Sequence, residues 1–191
     1  SSMFEIFQRL NTGGVNLRPQ EIRTSMYHSA FYNMLSRANL LPGWRRLLNS
    51  EVPDLHMKDI EILLRGFAFL VDGDRYAPSM VRFLNDFSRK CKEMSKEEVE
   101  YYYQLFESFL NACADLPTSA FLNKRNNRFN VALYDAAFAA ICREAFVNQR
   151  LLNGVVSLDA LQRLENDPEF QQALVEGTTQ TRNVKQRLAR A

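Results

Sequence analysis

Apolar residues recur at three- and four-residue intervals along almost the whole chain, the spacing that sets them on one face of an α-helix. Phe4, Phe7 and Leu10 open the series, and Ser2 with Glu5 forms the capping box that starts that helix. Pro19 to Arg37 reads as one helix whose stripe carries Ile22, Met26, Tyr27, Ala30, Phe31, Met34 and Leu35. Pro42 to Leu48 reads as a short one, with Trp44, Leu47 and Leu48 inward and Arg45 and Arg46 outward. Leu55 to Val71 follows, closed by an Asp72-Gly73-Asp74 turn, then Pro78 to Lys90 with Met80, Val81, Phe83, Leu84 and Phe87 inside. A Ser95/Glu98 capping box begins a long helix from Lys96 to about Ala114 that buries Tyr102, Leu105, Phe106, Phe109, Leu110 and Cys113. Asn130 caps Val131 to Asn148, Ser157 opens a helix to about Asn166, and Asp167-Pro168-Glu169 starts another. In the last stretch, Thr178 to Ala191, Val184 and Leu188 face inward and Arg182, Lys185, Arg187 and Arg190 outward. β-branched residues never alternate over more than a few positions, so strands are not expected. The fold class is all-α, an irregular multi-helix bundle: one helical domain over 1–191, or two packed helical halves, 1–115 and 116–191.

The stretch between the first two helices is more particular than a helical protein requires. Asn11, Thr12, Gly13 and Gly14 tolerate positive φ and leave backbone N–H groups unshielded, Leu17 can tuck back beneath them, and Pro19 restarts the helix with Glu21 in its first turn. Bare amides ahead of a helix start can cradle an anion, with Arg9, Arg18 and Arg23 to add charge. Neither the P-loop spacing nor GxGxxG is present, so the residues alone favour a tight structural turn over a ligand contact. Arg65, inside an apolar helix, needs a carboxylate or several carbonyls; a structural pair is the preferred reading, and a clamp reaching toward Gly13 and Gly14 the alternative.

Charge changes this picture little. The formal net charge is +2, so no global field draws the molecule to nucleic acid or a membrane, and such binding must rest on local patches. The best patch for nucleic acid is Lys124, Arg125 and Arg128, with Asn126 and Asn127, between Phe121 and Phe129 in the longest irregular segment, Asp115 to Asn130; a plain solvated loop is the preferred account. Cys91, Cys113 and Cys142 are odd in number and lack CxxC spacing, which suits a reducing compartment, the cytoplasm by default. No apolar run reaches the length of a membrane span, and no membrane partner is expected. There is no HExxH, no GxSxG, no Cys/His cluster at ligand spacing and no EF-hand loop, while His28 and His56 lie on different elements. No catalytic residue, metal ligand or cofactor is therefore assigned, and the chain by itself is not expected to be an enzyme.

The run Phe7-Gln8-Arg9-Leu10-Asn11-Thr12-Gly13-Gly14, with Leu17 and Gln20-Glu21-Ile22-Arg23, resembles the F-x-R-L-N-T-G-G-x-x-L-x-x-Q-E-I-R block of the DUF262 family, the N-terminal region of GmrSD-type modification-dependent restriction and phage-defence proteins. Leu64-Arg65-x-Phe67, Phe83-Leu84-Asn85, Asn130 to Ala136, and Phe170 through Thr178, Thr179, Val184 and Arg187 resemble further family patterns, in the family's order and over nearly the whole chain. The ParB-like half with its Asp-Gly-Gln-Gln-Arg motif, tied in the family to nucleotide binding and hydrolysis, has no counterpart here, and neither does the HNH-type nuclease domain. The resemblance thus implies the helical second half of such a domain. In the intact protein it implies an NTP with Mg²⁺, DNA, and a nuclease domain or subunit as partners. Arg9, Asn11, Thr12, Gly13, Gly14 and Arg23 would then line a nucleotide or DNA site that the upstream half completes. The alternative is a non-enzymatic helical protein–protein interaction module.

Overall fold

The computed structural model describes residues 3–10, 17–175 and 181–191. Eleven α-helices account for most of the described residues, which contain no strand. The first two are α1 (Met3–Leu10) and α2 (Pro19–Met26), where proline heads α2 and the Glu21 carboxylate accepts the Arg18 N–H. The stripe expected to run unbroken to Arg37 is interrupted. The α2 ladder closes at Tyr27, and Ser29 caps a new helix, α3 (Ala30–Ala38), its hydroxyl accepting the Tyr32 N–H. The apolar period continues across this corner, so Tyr27, which caps the end of α2, and Phe31 of α3 are both buried.

Next come α4 (Pro42–Leu48), ended by Asn49 at φ 51°, and α5 (Lys58–Asp72), which starts three residues later than expected because Met57 lies at φ 58° outside it. Leu55, expected at the head of that helix, is 91% exposed. A 3₁₀ turn, Gly73–Arg75, leads to α6 (Met80–Cys91), capped by Ser79, and α7 (Lys96–Ala112), whose Ser95/Glu98 box is formed reciprocally. After the irregular segment come α8 (Val131–Val147), α9 (Leu158–Asn166), α10 (Pro168–Val175) and α11 (Thr181–Arg190). Asn130, Ser157 and Asp167 accept the N–H groups of Leu133, Ala160 and Phe170.

The centre of the bundle is the crossing of α5 and α8. Gly66 makes it close: a Cβ there would lie 2.8 Å from the Tyr134 hydroxyl and 3.1 Å from a Phe138 ring carbon. Around the crossing Phe31, Phe67, Phe106, Phe109, Tyr134 and Phe138 are fully buried, most pairs meeting edge to face, and α3, α4, α6 and α7 close over them.

Several side chains lie opposite to the hydrophobic pattern. Arg45 and Arg46 do not look outward: Arg45 is buried with Nη1 3.0 Å from Asp59, and Arg46 donates to the carbonyls of Cys113 and Leu116 beyond the end of α7. Val81, expected inside, is 40% exposed, and Leu17, expected to tuck under the turn, is 43% exposed. Arg187, expected on the outer side of the last helix, is 2% exposed. In each arginine the reason is the same: a carboxylate or a set of helix-end carbonyls elsewhere in the fold satisfies the buried cation.

Candidate functional site

Arg23, in the last turn of α2, lies where α1 packs on α2. It is 1% exposed, and its Nε donates to Asn85 Oδ1 at 2.9 Å while Nη1 donates to Gln20 Oε1 and lies 3.3 Å from Glu61. The guanidinium carbon stands 5.8 Å from the centroid of the Phe4 ring, so α1 covers the arginine with an aromatic. Tyr32 lies next to this group; its hydroxyl is 2.9 Å from Ser88 Oγ, which donates to the Leu84 carbonyl. Burial pushes the Tyr32 phenol up to about 12, against the pull of Ser88, Arg23 and Gln20. Four helices, α2, α3, α5 and α6, are thus tied by polar side chains, of which Glu61 on α5 is the most open to water.

Glu61 joins this corner to a second buried group. One turn along α5 lies Arg65, whose Nε donates to Asp135 Oδ2 of α8 at 3.1 Å, the two side chains being 17% and 4% exposed. Arg187 from α11 donates to the Ala173 carbonyl at 2.9 Å and lies close enough to Asp135 for the two charges to interact. Burial pushes the Asp135 carboxyl up from the usual carboxylate range, opposed by Arg65 and Arg187, and pulls the Arg187 guanidinium down. Two ion pairs, Arg23–Glu61 and Arg65–Asp135, thus lie one turn apart along α5, and Arg187 of α11 lies beside the second. Glu61, with a side chain one-third exposed, is the most open member of the two pairs.

Of the residues proposed for anion binding, Arg9 is exposed in the last turn of α1, and Asn11, Thr12, Gly13 and Gly14 lie outside the described residues, as do Ser2, Thr178 and Thr179. Arg23 is committed to the junction of helices rather than open to solvent. Arg65 takes the structural pairing preferred for it, with Asp135; Gly13 and Gly14, the target of the alternative clamp, lie outside the described residues. Glu61 received no role from the sequence; its one signal is an acid four residues before Arg65 on an apolar helix.

Family models, curated proteins and solved structures were all compared with this chain. None matches.

Lys124, Arg125 and Arg128 are exposed at the tip of a loop closed by the pair Leu122 and Phe129. Lys124 lies 3.1 Å from Glu165, and the side-chain Oδ1 atoms of Asn123 and Asn126 accept the N–H groups of Arg125 and Arg128, so these side-chain amides serve the loop. Phe121 is fully buried and Phe129 packs against Trp44, which leaves neither ring free to stack on a base.

Among the described residues no group of three His, Cys, Asp or Glu side chains is placed to hold a metal ion, and no helix is long and apolar enough to cross a membrane. The three thiols are buried and free, and burial raises the pKa of each, the condition of inert rather than nucleophilic cysteines. A cleft of about 720 Å³ runs between α8, α9 and α11 over a floor that includes Ala137, Ala140, Ile141, Leu161 and Leu164, with Arg190 at its edge held by Asp167 at 2.6 Å.

Proposed function

We propose that this chain is the helical portion of a DUF262-like protein, related to NTP-dependent modification-dependent restriction and phage-defence systems, and that its α1–α2 corner lines a nucleotide or DNA site. One observation carries this reading. Six polar residues of the family-like patterns, scattered over most of the sequence, gather in neighbouring parts of the interior: Gln20, Arg23 and Asn85 in one hydrogen-bonded group, Arg65 and Asp135 in a second, with Arg187 beside Asp135. A shared pattern that converges in space supports common descent more than the same residues would if dispersed over a surface. In this reading Arg23, Asn85 and Glu61 are positioning residues that hold α2 against α5 and α6. The ligand contacts fall to Arg9 and to the segment Asn11 to Gly14. Mg²⁺ would be held by the nucleotide phosphates and the upstream ParB-like half, since the described residues supply no carboxylate set for it. DNA contact through Lys124, Arg125 and Arg128 would be with phosphates, because the neighbouring rings are inside.

Met3 and Ile6 of α1 are 63% and 43% exposed, an apolar face beside the same corner. That face suits the companion half of the first reading, and it equally suits the second, a non-enzymatic interaction module. Nucleotide binding separates them. With the protein expressed together with the sequence upstream of Ser1 in its gene, titration with ATP and GTP in Mg²⁺ is expected to show binding that Arg9→Ala and Asn11→Ala each weaken at least roughly tenfold, the worth of one charge-assisted hydrogen bond. Unchanged affinity in both variants, or no binding to the unaltered protein, would remove the nucleotide site and leave the interaction module.

A further inference from the structure

The cleft between α8, α9 and α11 is walled by side chains too short to fill it. Ala137 and Ala140 of α8, Ala160 of α9 and Ala189 of α11 all stop at Cβ, and about 720 Å³ is left between them. Small-molecule sites typically take about 300–1,000 Å³, and a gap between the helices of a bundle is one of their usual places. The surface left bare is apolar. Leu161 is buried beneath it, Ile141, Val156 and Leu164 are half-buried, and Val155 at the rim is 70% exposed. Covering these groups removes hydrocarbon from water, which favours a ligand with an apolar body.

The charges lining the cleft are two guanidiniums and one carboxylate, and they are not equivalent. Arg190 is committed: its Nη2 donates to Asp167 at 2.6 Å and its Nε lies 3.8 Å from Glu169. Asp167 is committed in turn, since it also accepts the Phe170 N–H in the first turn of α10, and its hydrogen bond from Arg190 holds its carboxyl below the usual carboxylate range. Arg163 differs. Its Nε donates at 3.3 Å to the Asp159 carbonyl of its own helix, and among the described residues no carboxylate pairs with it. A cation without an acid partner therefore stands beside an aliphatic floor.

We propose that this cleft binds an amphiphilic carboxylate, its alkyl chain on the aliphatic floor and its two oxygens on the planar fork of Arg163. An alkyl ammonium of the same length would find no unpaired acid there, because Asp167 is already held by Arg190. An alkyl alcohol would gain the floor but not the charge. No residue of the α1–α2 corner takes part, so the site is separate from the proposed nucleotide site.

Decanoate, decanol and decyltrimethylammonium, each added to the whole labelled chain below its micelle concentration, test this by heteronuclear NMR. Decanoate should shift the amides of residues 137–141, 155–164 and 189–191 saturably. Decanol should bind about two- to fivefold more weakly, the worth of one exposed ion pair, and the ammonium more weakly still. Octanoate should bind about fourfold more weakly than decanoate, about twofold for each methylene half-covered in an open cleft. Arg163 is exposed, so Arg163→Met leaves the core alone; it should bring decanoate down to the level of decanol and leave decanol unchanged. Ala140→Phe places a ring on the floor without touching the charge and should weaken both ligands alike. No saturable shift at these residues, equal affinity for decanoate and decanol, or a loss in Arg163→Met shared by both would overturn the proposal.

Discussion

Asp135→Ala is expected to lower the folding free energy by about 3–5 kcal/mol, the cost of removing one partner from a buried ion pair. The carboxylate is 3% exposed, accepts both Nε and Nη2 of Arg65, and faces Arg187 from the other side. With it gone, two guanidiniums remain in the interior with only carbonyls, Glu61 and the faces of aromatic rings to meet their charge. A domain of this size has a total stability of about 5–15 kcal/mol, so this single change brings it near unfolding. Urea denaturation followed by far-UV circular dichroism measures the loss as a fall in midpoint at constant slope. A change under about 1 kcal/mol, the range of exposed pairs, would mean that the carboxylate is solvated.

Trp44→Ala is expected to cost a similar amount, about 3–5 kcal/mol, for a different reason. Trp44 is fully buried, its ring centroid 5.6 Å from Phe106, 5.8 Å from Phe129 and 5.2 Å from Tyr134, so truncation opens a cavity between α4, α7 and α8 that rigid rings cannot collapse to fill. Its indole N–H donates to Asn39 Oδ1 at 3.1 Å, and Asn39 in turn donates to Asp59, the partner of Arg45. Trp44→Phe keeps most of the ring area but leaves the Asn39 oxygen without its donor, and should cost about 1–3 kcal/mol. The same denaturation experiment reads both, and equal losses in the two variants would show that the indole hydrogen bond, not the cavity, dominates.

What could be read from the sequence is what local chemistry decides. Ser95 with Glu98, Asn130, Ser157 and Asp167 start helices because their side chains accept amides two or three residues ahead, a relation visible in the order of residues. Trp44 as core filling and the buried side of α7 follow from helical spacing alone. The arginines were not legible in the same way. Hydrophobic periodicity assigns Arg45, Arg46 and Arg187 to solvent, but the groups that bring them inside are Asp59, the carbonyls of Cys113 and Leu116, and the Ala173 carbonyl, each distant in the sequence or at a helix end whose position the pattern does not give. The corner at Ser29 leaves no mark on the pattern because the apolar repeat keeps its phase through it. Arg65 stands between these cases. That it needs a carboxylate follows from its apolar neighbours; that the carboxylate is Asp135, seventy positions away, follows only from the fold. The glycine pair at 13–14 lies outside the described residues, so its amides contribute to the proposed site only through the sequence.

The buried ion pair between α5 and α8, Arg65 with Asp135, is the contact on which the arrangement of these charges most directly depends. Arg65→Met, Asp135→Leu and the double variant complete a cycle in urea denaturation. The account predicts a coupling of about 2–3 kcal/mol, with the double variant clearly more stable than the sum of the two single losses would allow, because two apolar side chains replace a pair whose members cannot be buried alone. Single losses that add within about 0.5 kcal/mol would contradict it, since independent residues behave in that way.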